Sequence, residues 1–163
     1  MQKVTPFFWF EKQAEEAANF YVSVFPNSKV KMVNRYDEAG AKASGQAVGS
    51  AMVVAFELNG QDFSAINGGA QPFAKPSGMV SFVINCENQE EVDHFWSKLS
   101  EGGEEGQCGW INHDKFGITW QVVPTALPKL LGDPDPAKAQ RVMMAMLQMK
   151  KIDIKTLEDA ANQ

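Results

Sequence analysis

The chain has 163 residues, of which 44% are hydrophobic, and its formal net charge is −5. This composition is too apolar for a disordered chain, and the acidic balance with scattered basic residues argues against nucleic acid as a partner. The amino terminus lacks the apolar core of a signal peptide, and the longest mostly apolar stretches, near ten residues, are too short to cross a bilayer.

The first half of the chain is predicted to form a strand, a helix and three further strands. Apolar residues at spacings of three and four, from Ala14 to Phe25, predict the helix, which ends at Pro26-Asn27. A polar stretch rich in Gly and Ala, 37–49, is predicted to be a mobile loop. Asn59-Gly60 is typical of a tight hairpin turn. The predicted strands are 6–10, 29–36, 51–58 and 62–67.

The second half is predicted to repeat this order. Val92, Phe95, Trp96 and Leu99 fall on one face of a helix, and Asn88 with Glu91 three residues later resembles a capping box. The other predicted features are a strand at 79–84, a helix end at Gly102-Gly103, and shorter strands at 104–111 and 114–123 with a turn near 114–117.

A repeat at an offset of 75 residues connects the two halves, because Glu15-Glu16-Ala17-x-x-Phe20-Tyr21 matches Glu90-Glu91-Val92-x-x-Phe95-Trp96. The glutamates fall in the first turn of each helix, where a negative charge stabilises the positive end of the helix, so we interpret them as structural rather than catalytic. Each copy is a βαβββ unit. The predicted units are 1–68 and 79–124, joined by a linker, 69–78, in which Phe73 indicates some packing.

From Pro124 the pattern becomes helical. Pro134 and Pro136 precede a helix whose stripe comprises Ala139, Val142, Met143, Met146 and Met149. A last short helix follows Asp153 and uses Ile154 and Leu157. Residues 125–163 are therefore predicted to be a helical extension. We expect its Met stripe to pack over the sheet or against a partner subunit.

Two cysteines, Cys86 and Cys108, lie 22 residues apart without a CxxC motif or a nearby histidine pair. This spacing is typical of buried thiols rather than of a metal cluster or a redox motif. We therefore expect a cytoplasmic protein with no membrane partner.

Several motifs, spread over nearly the whole chain, are typical of one protein family. They are Pro6-Phe7-Phe8-Trp9-Phe10, Phe20-Tyr21-x-x-Val24-Phe25-Pro26-Asn27-Ser28, Phe56-Glu57-Leu58-Asn59-Gly60-Gln61, Asp114-Lys115-Phe116-Gly117-Ile118-Thr119-Trp120-Gln121-Val122-Val123-Pro124, Asp133-Pro134-Asp135, Val142-Met143-x-Ala145-Met146 and Lys151-Ile152-Asp153-Ile154. With these motifs the chain resembles the vicinal-oxygen-chelate superfamily of glyoxalases, bleomycin-resistance proteins and extradiol dioxygenases. Within it, the chain is most similar to the PhnB-like branch, described as 3-demethylubiquinone-9 3-methyltransferase domains.

The resemblance implies an α+β fold of two βαβββ modules, whose curved mixed sheets surround a cleft, followed by C-terminal helices. Many relatives bind a divalent metal through four His, Gln or Glu side chains on the first and last strands of each module. The matching positions here are Thr5 or Pro6, a residue between Ser64 and Asn67 (Asn67 in the simplest alignment), Ser81 and Gln121. Neutral hydroxyls and amides are poor ligands for a transition metal, so we expect neither a metal nor another cofactor.

What the resemblance then implies is a small-molecule ligand, bound without a metal in the cavity between the modules, as in the bleomycin-resistance relatives. An aromatic lining with a few polar groups suits such a site, although side chains alternate along a strand, so that only some aromatics can face it. The cavity candidates are Phe7, Trp9, Ser64, Asn67, Ser81, Cys108, Trp110, His113, Trp120 and Gln121.

Other functions remain open at this point. The chain could be a metal-independent enzyme, although no trio of nucleophile, base and orienting group can be read from its polar candidates. It could also be an interaction protein that uses its Met-bearing helix. Whichever function holds, we expect a homodimer, because curved sheets expose edges that relatives cover by pairing modules between chains, and because the Met stripe offers a contact surface.

The methyltransferase description of the branch finds no support in the residues. A Rossmann-type methyltransferase needs a strand, a Gly-rich turn and a helix in succession. Gly68-Gly69 follows a strand but runs into Ala70-Gln71-Pro72, and Gly102-Gly103 follows a helix instead.

Overall fold

The computed structural model describes residues 5–71 and 80–163 of the chain. Contacts divide the chain into two compact units, 1–75 and 76–163. Each unit contains a four-stranded mixed sheet and a helix packed on one of its faces. The predicted α+β fold with two βαβββ modules is confirmed. The predicted linker is described only at 69–71, so Phe73 lies outside the described residues, as does Met79 at the start of the predicted strand 79–84.

The first unit follows the predicted order, with one added helix. Its strands are ordered β1-β4-β3-β2 in the sheet, with β1 and β4 parallel and the other pairs antiparallel. The elements are β1 (Phe7–Phe10), α1 (Ala14–Val24), β2 (Lys29–Arg35), α2 (Glu38–Ser44), β3 (Ala51–Leu58) and β4 (Gln61–Asn67).

Local signals explain the hairpin and α1. Asn59 and Gly60 both have positive φ, 45° and 84°, which is the backbone that a two-residue type I′ turn requires. The predicted apolar face of α1 is buried from Ala14 to Val24. Phe25, the last predicted member of that face, follows the helix as its C-cap and is half-buried.

Helix α2 corrects the prediction of a mobile loop at 37–49. The side chain of Asp37 accepts a hydrogen bond from Gly40 N, and Gly45 ends the helix with φ of 70°. Between these two caps lie alanines, which favour a helix. Ala41 is the residue that buries the helix against the unit.

The second unit has the same topology, with the strand order β5-β8-β7-β6. Only β5 and β8 are parallel. Its module elements are β5 (Phe82–Cys86), α3 (Gln89–Ser100), β6 (Glu104–Glu105), β7 (Trp110–His113) and β8 (Trp120–Pro124).

Two predicted strands of this unit prove shorter or divided. The strand expected at 104–111 is split into β6 and β7, because Cys108 and Gly109 adopt positive φ values of 57° and 83° that break the extended chain. The strand expected at 114–123 begins only at Trp120. Before it, Asp114 forms the predicted turn, in which its carbonyl accepts from Gly117 N.

The capping box predicted for α3 forms with a shift of one residue. Asn88 Oδ1 accepts from Glu91 N at 2.9 Å, as predicted, but the Glu91 carboxylate accepts from Glu87 N rather than from Asn88 N. Both side chains still satisfy backbone N–H groups at the helix start.

The C-terminal extension forms three helices, one more than predicted: α4 (Ala126–Leu131), α5 (Pro136–Met146) and α6 (Ile154–Ala161). They share an apolar cluster around the buried side chains of Val142, Ile152 and Leu157. The methionines of the predicted stripe differ in their packing. Met146 and Met149 pack against the cluster, whereas Met143 is largely exposed. Within residues 5–71 and 80–163, no helix is long and apolar enough to cross a membrane.

Candidate functional site

The two faces of each sheet differ in what covers them. One face packs on the helix of its own unit, and we call the other the distal face. On β1, Phe8 and Phe10 are buried under α1, whereas Phe7 is 57% exposed. On β5, Ile84 and Cys86 are buried, and Val83 is 51% exposed. A ligand could reach the helix-facing side of either sheet only by unpacking a helix.

The distal face of the second sheet brings three predicted residues together. Gln121 of β8 is the Cα partner of Val83 on one side and of Trp110 on the other. Gln121 Nε2 donates a hydrogen bond to Ser81 Oγ at 2.9 Å. Val83, which the sequence analysis did not select, alternates with Ser81 along the chain, and that period of two was the signal for it.

Besides the bond between Gln121 and Ser81, this group has further hydrogen-bond donors and an acceptor. Gln121 Oε1 accepts no hydrogen bond from any described residue, and the Ser81 hydroxyl still has its proton to donate. The indole N–H of Trp110 likewise has no acceptor among residues 5–71 and 80–163. All three side chains are half-buried. They therefore offer one acceptor and several donors on a partly apolar surface.

The distal face of the first sheet carries three predicted residues, one of which already has a structural role. Phe7 and Ser64 are Cα partners on β1 and β4 and lie on this face. Trp9 shares the face, but its Nε1 donates to Gly69 O at 3.0 Å, and its ring lies so close to Gly68 that a Cβ there would overlap it. The indole is thus used to hold the chain that leaves β4.

Asn67 and Trp120 belong to the opposite, helix-facing side. The Asn67 amide accepts from Ala14 N at 2.7 Å and donates to Ala51 O at 2.9 Å, so it caps α1 from a distant strand. Trp120 is only 2% exposed, and its Nε1 donates to Asp114 Oδ2 at 2.8 Å. Neither side chain is available to a ligand on the distal face, which corrects their selection as cavity residues.

His113 and Cys108 lie at the margins of the second sheet and not with Gln121. His113 Nε2 lies 3.7 Å from Glu104 Oε2, and its Nδ1 is 3.1 Å from Asp114 O. Cys108 is half-buried in the loop before β7, where its thiol lies 3.6 Å from Met146 O. The two therefore do not form a catalytic group with Ser81.

The pairing registers decide which residues occupy the metal-ligand positions. Phe7 pairs with Ser64 as Val83 pairs with Gln121, so Ser64, and not Asn67, is the equivalent of Gln121. Likewise Thr5, rather than Pro6, is the equivalent of Ser81. Thr5 lies two residues before the exposed Phe7, as Ser81 lies two residues before the exposed Val83, so each lies on the distal side of its strand.

These donors do not fit a divalent metal. The positions offer three hydroxyls and one amide, whereas transition metals in such sites are bound by imidazole and carboxylate. Moreover, the amide nitrogen, not the oxygen, of Gln121 faces Ser81. Among the described residues, no three His, Cys, Asp or Glu side chains cluster so that they could hold a metal ion.

A separate cavity of about 510 Å³ lies between α5 and α6 and contains none of the predicted site residues. Its charged groups are already used. Arg141 donates from Nε to Ala160 O and from Nη2 to Ala161 O, both at 2.9 Å, and Asp159 pairs with Lys155 at 2.6 Å. The charged side chains that line the cavity are therefore engaged in contacts within the extension.

Known proteins match about three quarters of this chain. A family model described as 3-demethylubiquinone-9 3-methyltransferase matches residues 2–123. The PhnB protein from Bacillus cereus is 36% identical, with a TM-score of 0.67 over 76% of this chain and 100% of its own. A Pseudomonas aeruginosa protein is 17% identical, with a TM-score of 0.57 over 76% of this chain and 98% of its own, which shows the fold alone. No curated protein matches the sequence significantly.

Proposed function

The chain belongs to the 3-demethylubiquinone-9 3-methyltransferase (PhnB-like) family, and we propose that it binds a small organic molecule, without a metal, on the distal face of its second sheet. The observation that carries the proposal is the hydrogen-bonded pair of Gln121 and Ser81 beside Trp110, with donors and an acceptor that no described residue uses, on a face that no helix of the module covers. Sites of this kind combine apolar walls with a few oriented polar groups.

Binding rather than catalysis is supported by the chemistry of these groups. An amide, a hydroxyl and an indole stay neutral and are very weak bases near neutral pH, so none of them is a general base. The imidazole of His113 faces Glu104 and not Ser81. The methyl transfer in the family's description also requires a donor site. Gly102-Gly103, one of the two glycine pairs, leads from α3 into β6 and not from a strand into a helix.

The test is a thermal-shift screen of small molecules followed by heteronuclear NMR. A ligand that binds the native state raises the Tm, and the stabilisation grows with the logarithm of its concentration once this exceeds Kd. We expect a hit to shift the indole N–H signal of Trp110, and Gln121→Ala to weaken its binding at least tenfold. Gln61→Ala, which changes an exposed glutamine at the start of β4, is the matched control. Hits that bind Gln121→Ala as tightly as the native chain would refute the site.

We further propose a homodimer in the cytoplasm, built from modules 1–68 and 79–124 with the extension 125–163. Met143, Met144 and Leu147 present an exposed apolar stripe on and just after α5, with Met144 62% exposed. Both cysteines are free thiols, which suits a reducing compartment. A sedimenting species of monomer mass at all concentrations would contradict the dimer.

A further inference from the structure

The distal face of the second sheet also carries information about the kind of ligand it accepts. The residues of β5 and β8 that point to this face, together with Ser81 just before β5, are all uncharged. They are Ser81, Val83, Asn85, Gln121 and Val123, of which Val123 packs against the apolar cluster of the extension. The charged side chains on the strands of the second sheet are Glu104 and Glu105, both on β6, and Glu104 accepts from Asn112 of β7 at 2.7 Å.

A charged ligand group would therefore lose its water without gaining an opposite charge in return. That loss is expensive on a half-buried surface. Two further features disfavour an anion. The chain has a net charge of −5, and Gln121 Oε1, which is itself an acceptor, would face the anion's oxygens. A cation would find only neutral oxygens on these strands, those of Gln121, Asn85 and Ser81.

The hydrogen-bonding groups of this site are satisfied by a ligand that carries both a donor and an acceptor. Gln121 Oε1 needs an N–H or O–H, whereas the Ser81 hydroxyl and the Trp110 indole N–H need an oxygen or a ring nitrogen. Val83 and the indole ring supply an apolar surface beside them. A planar amide provides a donor and an acceptor close together without any charge.

We propose that the ligand of this site is an uncharged, planar molecule that presents an amide edge, such as a primary carboxamide or a lactam, to Gln121 and Ser81. The proposal rests on the proposed function and adds the ligand class to it. Its N–H donates to Gln121 Oε1, and its carbonyl accepts from the Ser81 hydroxyl or from Trp110 Nε1.

Three ring compounds of similar size and different charge test this class: nicotinamide is neutral, nicotinate is an anion and benzamidine is a cation at pH 7. Each is titrated into the full-length ¹⁵N-labelled chain, and the Trp110 indole and Gln121 amide signals are followed, with assignments from Trp110→Phe and Gln121→Ala. We expect nicotinamide to bind at least tenfold more tightly than nicotinate or benzamidine, because a site with unpaired hydrogen-bonding groups discriminates strongly.

Gln121→Glu supplies the decisive variant. It replaces the amide by a carboxylate of the same shape, so we expect nicotinamide binding to fall at least tenfold and benzamidine to become the preferred probe. Gln61→Glu is the matched control and should leave all three affinities unchanged. If Gln121→Glu does not fold, as judged by circular dichroism, Ser81→Ala is the second variant. It removes the hydroxyl that donates to the ligand and that accepts from Gln121 Nε2, and should weaken nicotinamide binding at least threefold.

The outcomes separate this proposal from the proposed function. Binding of nicotinate or benzamidine as tight as that of nicotinamide would overturn the ligand class. Hits without an amide that shift Trp110 and depend on Gln121, together with no response to nicotinamide, would also overturn the class and leave the binding site standing. If neither the probes nor any screened compound shifts these signals, both proposals fall.

Discussion

Asp114 is a buried carboxylate that organises the turn before β8. Its Oδ1 accepts from Phe116 N and Ile118 N, and its Oδ2 accepts from Trp120 Nε1. All three partners donate, so the position requires a group that only accepts. The sequence indicated a turn here but could not show that its first side chain lies in the core, because that depends on where Trp120 points.

Asp114→Asn should destabilise the chain by about 1–3 kcal/mol, because either orientation of the new amide turns its NH₂ group toward a donor. Chemical denaturation measures the change. Asp135→Asn is the control, since Asp135 caps α5 by accepting from Ala137 N, and asparagine caps a helix equally well. Equal stability of both variants would show that Asp114 does not need to be an acceptor.

Cys86 is a thiol whose surroundings suppress its ionisation. Burial, together with the nearby Glu91 carboxylate, raises the pKa of Cys86 from 9.0 to about 12. Because the folded pKa lies above the unfolded value, the neutral thiol contributes its full stability below pH 9 and loses it as the pH rises toward 12.

The alkaline loss of stability should therefore depend on Cys86. Between pH 8 and pH 10 the native chain should lose about 1 kcal/mol more unfolding free energy than Cys86→Ala, as one pKa unit corresponds to about 1.4 kcal/mol. Urea denaturation at the two pH values measures this difference. Parallel curves for the two proteins would contradict it.

At the scale of elements, the sequence predicted what short-range signals determine. The type I′ hairpin at Asn59-Gly60, the buried face of α1 and the cap of α3 all formed because their causes lie within a few residues. Helix α2 was missed because its glycines and polar residues imitate a loop, although Asp37 and Gly45 cap it. The split between β6 and β7 was missed because a positive φ at Cys108 cannot be expected from a cysteine.

Several contacts join the extension to its module, and the side chain of Gln89 on α3 supplies two of them. Gln89 Nε2 donates to Ile152 O at 3.1 Å, and its Oε1 accepts from Ile154 N at 2.9 Å. Cys108 N and Gly109 N add bonds to Met149 O and Lys150 O. The family match ends at residue 123, so these contacts attach a segment that the family model does not include.

Gln89→Ala should loosen the extension without unfolding the modules. Two backbone groups lose their partners, and at about 1 kcal/mol for each hydrogen bond the amides of α6 should exchange with solvent at least fivefold faster. Hydrogen exchange followed by mass spectrometry measures this, with α1 as an internal reference. Gln107→Ala, at an exposed glutamine of the same unit, is the control. Unchanged exchange in α6 would show that the apolar cluster alone holds the extension.

At the scale of the whole molecule, the two modules differ by one residue in the connection between first strand and helix. Three residues separate β1 from α1, and two separate β5 from α3. The helices therefore match at an offset of 75 residues, but the strands match at 76, as Phe7 and Val83 show. The sequence repeat was read from the helices, so it could not decide between Thr5 and Pro6. The alternation of buried and exposed residues along β1 and β5 identifies Thr5 as the equivalent of Ser81.

This alignment leads to a prediction about metals for the whole chain. With Thr5, Ser64, Ser81 and Gln121 at the four ligand positions, Ni²⁺ or Mn²⁺ should leave the Tm unchanged, because stabilisation requires binding to the native state and these groups bind such ions weakly. The double variant Ser81→His with Gln121→Glu places an imidazole and a carboxylate where the side chains already lie 2.9 Å apart, and its Tm should rise with Ni²⁺ concentration. A rise in the native chain that Gln121→Ala abolishes would show that the donor set does hold a metal. In that case the amide oxygen of Gln121 would have to turn toward Ser81, and the hydrogen bond between them would be lost.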